Sequence, residues 1–157
     1  MPDYQPNRNC NDSVDWILTP NKQFTVKSAW NALRRNLTMV QWWKIVWHKD
    51  AIPWCSFILW LVCKDGIRTR DRLKRWGKIN DSSCVLCGHT EETRDHLFFQ
   101  CRPFSQAVWK EVKRWNNQTY CCSSWDQEIH EAIQRSGSGS MAARMRKLSL
   151  GISVYCI

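Results

Sequence analysis

Apolar residues recur at helical spacing along most of the chain, and polar breaks cut the pattern into short segments. The first clear stripe is Val26, Ala29, Trp30, Leu33 and Leu37, spaced i, i+3, i+4, i+7 and i+11, with Thr25 placed as its N-cap. Arg34 and Arg35 fall off that face. Upstream, "DWILTPNKQFTV" from Asp15 has two β-prone runs around Pro20-Asn21, which predicts a short N-terminal β-hairpin. In "QWWKIVWHKD" the residues Trp43, Val46 and Trp47 share a helical face, and the segment ends before Pro53, which restricts the backbone ahead of it. "WCSFILWLVCK" is apolar nearly all round and reads as the central helix.

Past a turn at Asp65-Gly66, "DGIRTRDRLKRWGK" predicts a short basic helix capped by Thr69 and stopped near Gly77, anchored to the core by Leu73 and Trp76. "PFSQAVWKEVKRW" places Pro103 at a first helical position and Phe104, Val108, Val112 and Trp115 in a stripe. "SWDQEIHEAIQR" aligns Trp125, Ile129 and Ile133. "SGSGS" at 136–140 reads as a flexible linker, and residues 141–157 as a helix with Met145, Leu148, Ile152 and Tyr155 on one side, ending without a cap as if cut short. The organisation expected is a flexible N-terminus over 1–14, a helical domain over 15–135, the linker, and the last helix.

The length suits one ordinary domain, and 43% hydrophobic with 24% charged residues is a globular composition. Eleven tryptophans are many for this size. Trp30, Trp43, Trp47, Trp60 and Trp109 lie on apolar faces and are expected in the core, whereas Trp42, Trp54, Trp115 and Trp125 are candidates for a partner surface. The start, "MPDYQPNRNCNDS", lacks the apolar stretch of a signal peptide, and the run "AIPWCSFILWLVC" falls short of the ~20 residues that span a bilayer. The expectation is an intracellular protein, in cytoplasm or nucleus, with no membrane contact. In such a reducing compartment the nine cysteines are thiols or metal ligands rather than disulfides.

One cluster of those cysteines has ligand spacing. Cys84, Cys87, His96 and Cys101 form C-x2-C-x8-H-x4-C within residues 80–101. A two-residue gap lets a tight turn aim two sulfurs at one point, and Gly88 can adopt the positive φ that turns backbone amides toward them. Positions i and i+5 of a regular helix lie roughly 140° apart, so the helix carrying His96 must fray by Cys101 if both face one metal. The segment has only Val85, Leu86, Leu97, Phe98 and Phe99 to bury, and structural zinc contributes on the order of 10 to 16 kcal/mol to such modules. The reading is one structural Zn2+ with all four positions filled by protein. His89 sits too close to Cys87, the vicinal Cys121 and Cys122 have a poor bite, and His48 and His130 are expected in solvent.

Taken in order, "FTVKSAWNAL", "VWHKDAIPWCSFILWLVCKDGIRTRDRLKRWG", "CVLCGHTEETRDHLFFQC" and "FSQAVW" resemble the zinc-binding reverse transcriptase domain near the C-terminus of plant non-LTR (LINE-type) retrotransposon polyproteins. The resemblance covers roughly residues 15–115 and carries the family's metal ligands onto Cys84, Cys87, His96 and Cys101. Trp54 and Cys55 stand where such proteins usually have a second proline or a small basic residue. No paired-aspartate polymerase motif and no ribonuclease H carboxylate set is present, so the resemblance implies an accessory module and not catalysis by this chain.

The net charge of +9 favours polyanions. Residues 64–78 hold seven of the basic side chains, and Arg68, Arg70, Arg72, Lys74, Arg75, Trp76 and Lys78 are the candidate contacts to nucleic acid, RNA or DNA. The competing reading of this run is a solvated helix face. The second functional reading is a domesticated zinc-stabilised adaptor that binds a reverse transcriptase or another protein through exposed tryptophans. An enzyme is opposed: there is no Gly-rich phosphate loop, nucleophile elbow or HExxH, and only chance folding would gather Asp65, Asp71, Asp81 and Asp95. No small-molecule substrate is expected.

Overall fold

A computed structural model describes residues 14–34, 38–102, 104–120, 122–137 and 139–157. The expected flexible stretch over 1–14, the stripe's Leu37, Pro103 and Cys121 fall wholly or almost wholly outside the described residues. The chain divides into two compact units, one up to Met39 and one from Val40.

In the first unit, α1 (Val26–Leu33) starts where its cap residues dictate. The Thr25 side chain accepts from the Ser28 N–H, and the Ser28 hydroxyl accepts in return from the Thr25 N–H. The hairpin expected before it is absent, and no strand occurs among the described residues. One backbone bond between the two arms, from Trp16 N–H to Lys22 C=O at 2.9 Å, closes a turn in which Lys22 takes a left-handed φ of 58° and pairs with Asp15. Two arms this short, with no third strand to pack on, do not sustain a ladder. Val26, Trp30 and Leu33 of α1 are exposed, so Trp30 is not a core residue.

The second unit is all helix: α2 (Trp43–Val46), α3 (Pro53–Cys63), α4 (Arg70–Arg75), a π-helical turn (His96–Gln100), α5 (Ser105–Trp115), α6 (Trp125–Arg135) and α7 (Met141–Cys156). Pro53 occupies the first turn of α3, where its missing N–H costs nothing. α3 is central as its composition predicts, packing along α7 and against α2. The core gathers Val46, Leu59, Val62, Phe98, Phe99, Trp109, Trp125, Leu150 and Val154. The Ser56 hydroxyl donates to Val46 C=O at 3.0 Å, and Arg144 clamps α7 to Asp50 with two bonds of 2.6 and 2.7 Å. The 136–140 connection joins α6 to α7, with Ser136 buried and the Ser140 side chain accepting from the Ala143 N–H.

Three expected faces are corrected. Trp43 and Trp47 are exposed, because Ile45 and Val46 between them take the buried side of α2. On α5 the buried positions are Ser105, Trp109 and Lys113, a stripe one position round from Phe104, Val108, Val112 and Trp115; only Val112 of these packs on the core. The rotation follows from two polar partners: Trp109 Nε1–H donates to Phe98 C=O at 2.5 Å, and Lys113 Nζ reaches Glu128 at 2.7 Å in a fully buried pair. On α7, Met145, Ile152 and Tyr155 are exposed, while small Ala143, Gly151 and Ser153 join Leu150 and Val154 inside. A Cβ on Gly151 would touch Cys55 Cβ at 3.7 Å, which shows how near α3 lies. Trp125, a candidate for either the core or a partner surface, is among the most deeply buried side chains.

Candidate metal centre

The zinc loop is built from backbone bonds before any side chain is considered. Cys84 N–H donates to Thr90 C=O at 2.7 Å, Gly88 N–H to Cys84 C=O at 2.8 Å, and Glu92 N–H to Ser82 C=O at 2.8 Å. The resulting knuckle needs Gly88 at φ 72°, a conformation that side chains other than glycine adopt reluctantly. It aims the N–H groups of His89 and Thr90 at Cys87 Sγ, and these hold the Cys87 thiol down at about 6, so it is a thiolate at neutral pH before any metal arrives. Cys101 is the opposite case: burial first, then the neighbouring Cys84 and Cys87, push it up to about 11.

His96 and Cys101 meet the same point by a different device from the one expected. The helix does not fray; it widens. Cys101 N–H donates to His96 C=O at 2.9 Å, an i to i+5 bond, and the chain leaves in an extended conformation at Cys101. The extra residue in the turn brings position 101 back over position 96. Thr93 steadies the entry, its hydroxyl accepting from His96 N–H at 3.1 Å.

The ligand atoms of Cys84, Cys87, His96 and Cys101 all lie within 4.8 Å of one another, with Cys87 Sγ 3.4 Å from His96 Nε2. A tetrahedral zinc ion with bonds of ~2.3 Å to sulfur and ~2.0 Å to nitrogen asks for about 3.5 to 3.8 Å between ligands, so the cluster needs only small adjustments to hold one. Cys84, His96 and Cys101 are buried and Cys87 is partly so, which suits a structural ion. His89 and His130 are exposed and outside the cluster. His48 is partly buried rather than in solvent, and its Nδ1 is buried without a partner. Cys63 and Cys122 are thiols pushed up to about 12, chiefly by burial.

Glu92 is a structural part of the site that sequence reasoning misses. Its buried carboxylate accepts from Arg70 N–H at 3.1 Å and Val85 N–H at 3.2 Å, fastening the start of α4 to the zinc knuckle. The bond to Arg70 spans 22 residues, so no local pattern announces it.

α4 therefore stands beside the metal cluster, and its cations can be read one by one. Arg70 bonds the Asp81 backbone and carboxylate, Arg72 is held by Asp65, and Arg75 pairs with Asp71 at 2.7 Å. Lys74 donates to the Ser82 hydroxyl at 3.3 Å. Among the described residues no carboxylate pairs with Arg68, Lys74 or Lys78. Trp76 is not the expected core anchor; it is 57% exposed beyond the end of α4, where Gly77 at φ 66° turns the chain away.

Fold and site together define a helical module organised on a Cys3His zinc cluster. The model of one protein family, described as zinc-binding in reverse transcriptase, matches residues 24–109, just over half the chain. The protein belongs to this family of zinc-binding reverse transcriptase domains. No curated protein and no solved structure matches the chain. Among the described residues no helix is long and apolar enough to cross a membrane.

Proposed function

We propose that this chain is a non-catalytic, retrotransposon-derived accessory module of the non-LTR type that binds template RNA or target DNA for a partner reverse transcriptase inside the cell. The observation that carries the reading is the attachment of α4 to the zinc knuckle through Glu92, with Trp76 and the cations Arg68, Lys74, Arg75 and Lys78 left at the surface. Phosphates attract such cations, and an exposed indole can stack on an unpaired base. Zinc, when bound by Cys84, Cys87, His96 and Cys101, supplies rigidity; four protein ligands leave no open position for a reacting group. The carboxylates of Asp65, Asp71 and Asp81 limit the number of phosphates α4 can take.

The test is fluorescence anisotropy of the zinc-loaded chain with single-stranded RNA, single-stranded DNA and duplex across a salt series. A log-log slope of about −2 to −3 is expected, with Lys78→Ala reducing it by just under one. A slope near zero sinks the reading. The adaptor reading has its footing in Trp54 and Trp115, which are 74% and 76% exposed. A partner held by those rings stays bound in high salt, whereas a nucleic acid held by phosphates is released.

A further inference from the structure

α2 turns two indoles outward, and the free charges around them are of one sign. Ile45 and Val46 take the buried side of this helix, and Trp42 packs on the core ahead of them. Trp43 and Trp47, one helical turn apart and so on a shared face, are left 37% and 50% exposed. Among the described residues neither ring is paired with another aromatic ring. The Lys44 ammonium stands over the Trp43 ring at 5.5 Å, and because Lys44 is itself exposed, that ring has a face reached from solvent. Lys49 follows in a turn closed by the bond from Ala51 N–H to His48 C=O at 3.0 Å. Lys147 approaches from α7, lining one small gap together with His48. Among the described residues the side chains of Lys44, Lys49 and Lys147 make no ion pair and no hydrogen bond. No aspartate or glutamate lies between Asp15 and Asp50 in the sequence, and Asp50 is taken up by its two bonds from Arg144.

An open indole face takes a base of any sequence, and an ammonium takes a phosphate. Both together, with no free carboxylate to oppose them, are the complement of a strand whose bases are unpaired. We propose that the outward face of α2 is a stacking platform for single-stranded nucleic acid, with bases on Trp47 and Trp43 and phosphates against Lys44, Lys49 and Lys147. The proposal rests on the nucleic-acid reading above and adds to it a second contact surface and a preference for single strands. α4 is fastened to the zinc knuckle, whereas α2 packs on α3, α6 and α7. The two surfaces also differ in chemistry, because Asp65, Asp71 and Asp81 hold three arginines of α4 while no carboxylate holds the lysines around α2. A duplex keeps its base faces stacked inside, so the platform favours single strands. Stacking does not read the 2′-hydroxyl, so RNA and DNA strands gain alike.

The experiment uses the zinc-loaded full chain with single-stranded RNA, single-stranded DNA and duplex of one length, read by fluorescence anisotropy across a salt series. Trp47→Leu keeps an apolar side chain without a π face, Trp47→Phe keeps a ring, and Lys49→Ala removes one charge; zinc content and helicity are checked in each. Trp47→Leu is expected to weaken binding of both single strands about tenfold at an unchanged salt slope, with duplex binding unaltered and most of the affinity restored in Trp47→Phe. Lys49→Ala is expected to lower the single-strand slope by about 0.7. Ultraviolet cross-linking followed by trypsin should mark residues 45–49, the peptide that begins after Lys44 and ends at Lys49. Equal weakening of single strands and duplex, or cross-links confined to the peptide of Trp76, overturns the platform and leaves the α4 reading standing. Full strand affinity in Trp47→Leu likewise overturns it and leaves these rings to a protein partner. Failure of the parent protein to bind any nucleic acid overturns both readings.

Discussion

The zinc loop and the α3–α7 pairing hold their chain by different means. Between α3 and α7, burial of Leu59, Val62, Leu150 and Val154 does the work, helped at the edge by the Arg144–Asp50 clamp. In the loop, Val85 is exposed and Leu86 only partly covered, so order comes from backbone bonds, the Glu92 carboxylate and four converging ligand atoms. The molecule thus has one region stabilised by removing water from carbon and another stabilised by coordination. Phe98 and Phe99 belong to both, sitting in the helical core on the same turn that carries His96.

The two regions part most sharply at the metal ligands. Cys87→Ser or His96→Ala should lose the zinc and with it on the order of 10 kcal/mol of loop stabilisation. Metal analysis and limited proteolysis should show the loop cut between residues 80 and 101 while much of the helicity persists; equal zinc and equal resistance in variant and parent would refute the assignment. Next in size is Lys113→Ala, which strands Glu128 in the core and should cost about 3 to 5 kcal/mol by chemical denaturation. If that variant also sheds zinc, the two regions are one cooperative unit. Glu92→Ala should cost about 1 to 3 kcal/mol, because a buried carboxylate and the two partly buried N–H groups it accepts from are lost as a joint. Hydrogen exchange should then quicken at Arg70 and Val85 and not in α7.

The smallest effect is on pH. Zinc takes thiolates, and Cys101 keeps its proton to about pH 11 in the metal-free protein, so binding displaces it. Zinc affinity should rise at least tenfold, about 1.4 kcal/mol, for each pH unit between 6 and 8. Below about 6 the Cys87 thiolate also protonates and the dependence should steepen by one further proton. Chelator competition at a series of pH values measures this, and a flat profile would mean the thiols are already ionised.

What was legible in the sequence was local. The ligand set follows from spacing alone, the cap at Thr25 from a side chain next to the turn it closes, and the central place of α3 from its composition. The geometric conflict between His96 and Cys101 was also visible, but its resolution by a wider turn was not, since that depends on Phe98 and Phe99 finding the core. The faces of α5 and α7 were misread for one reason: periodicity scores lysine as polar and glycine or serine as neutral. Lys113 is buried by a partner on another helix, and Gly151 and Ser153 are buried because they are small. Glu92 shows the same limit, its meaning residing in amides far along the chain.

The widened turn at His96–Gln100 carries one further consequence. Rewinding it to ordinary α-helical register would carry Cys101 through about 100°, off the cluster, and would turn the aromatic pair relative to Trp109 and Trp125 at the same time. Metal and core thus count residues along the same stretch and must arrive at the same number. An insertion or deletion of a single residue between His96 and Cys101 is therefore an error of arithmetic that neither side can absorb, whereas added length among the exposed residues before Lys78 alters neither count.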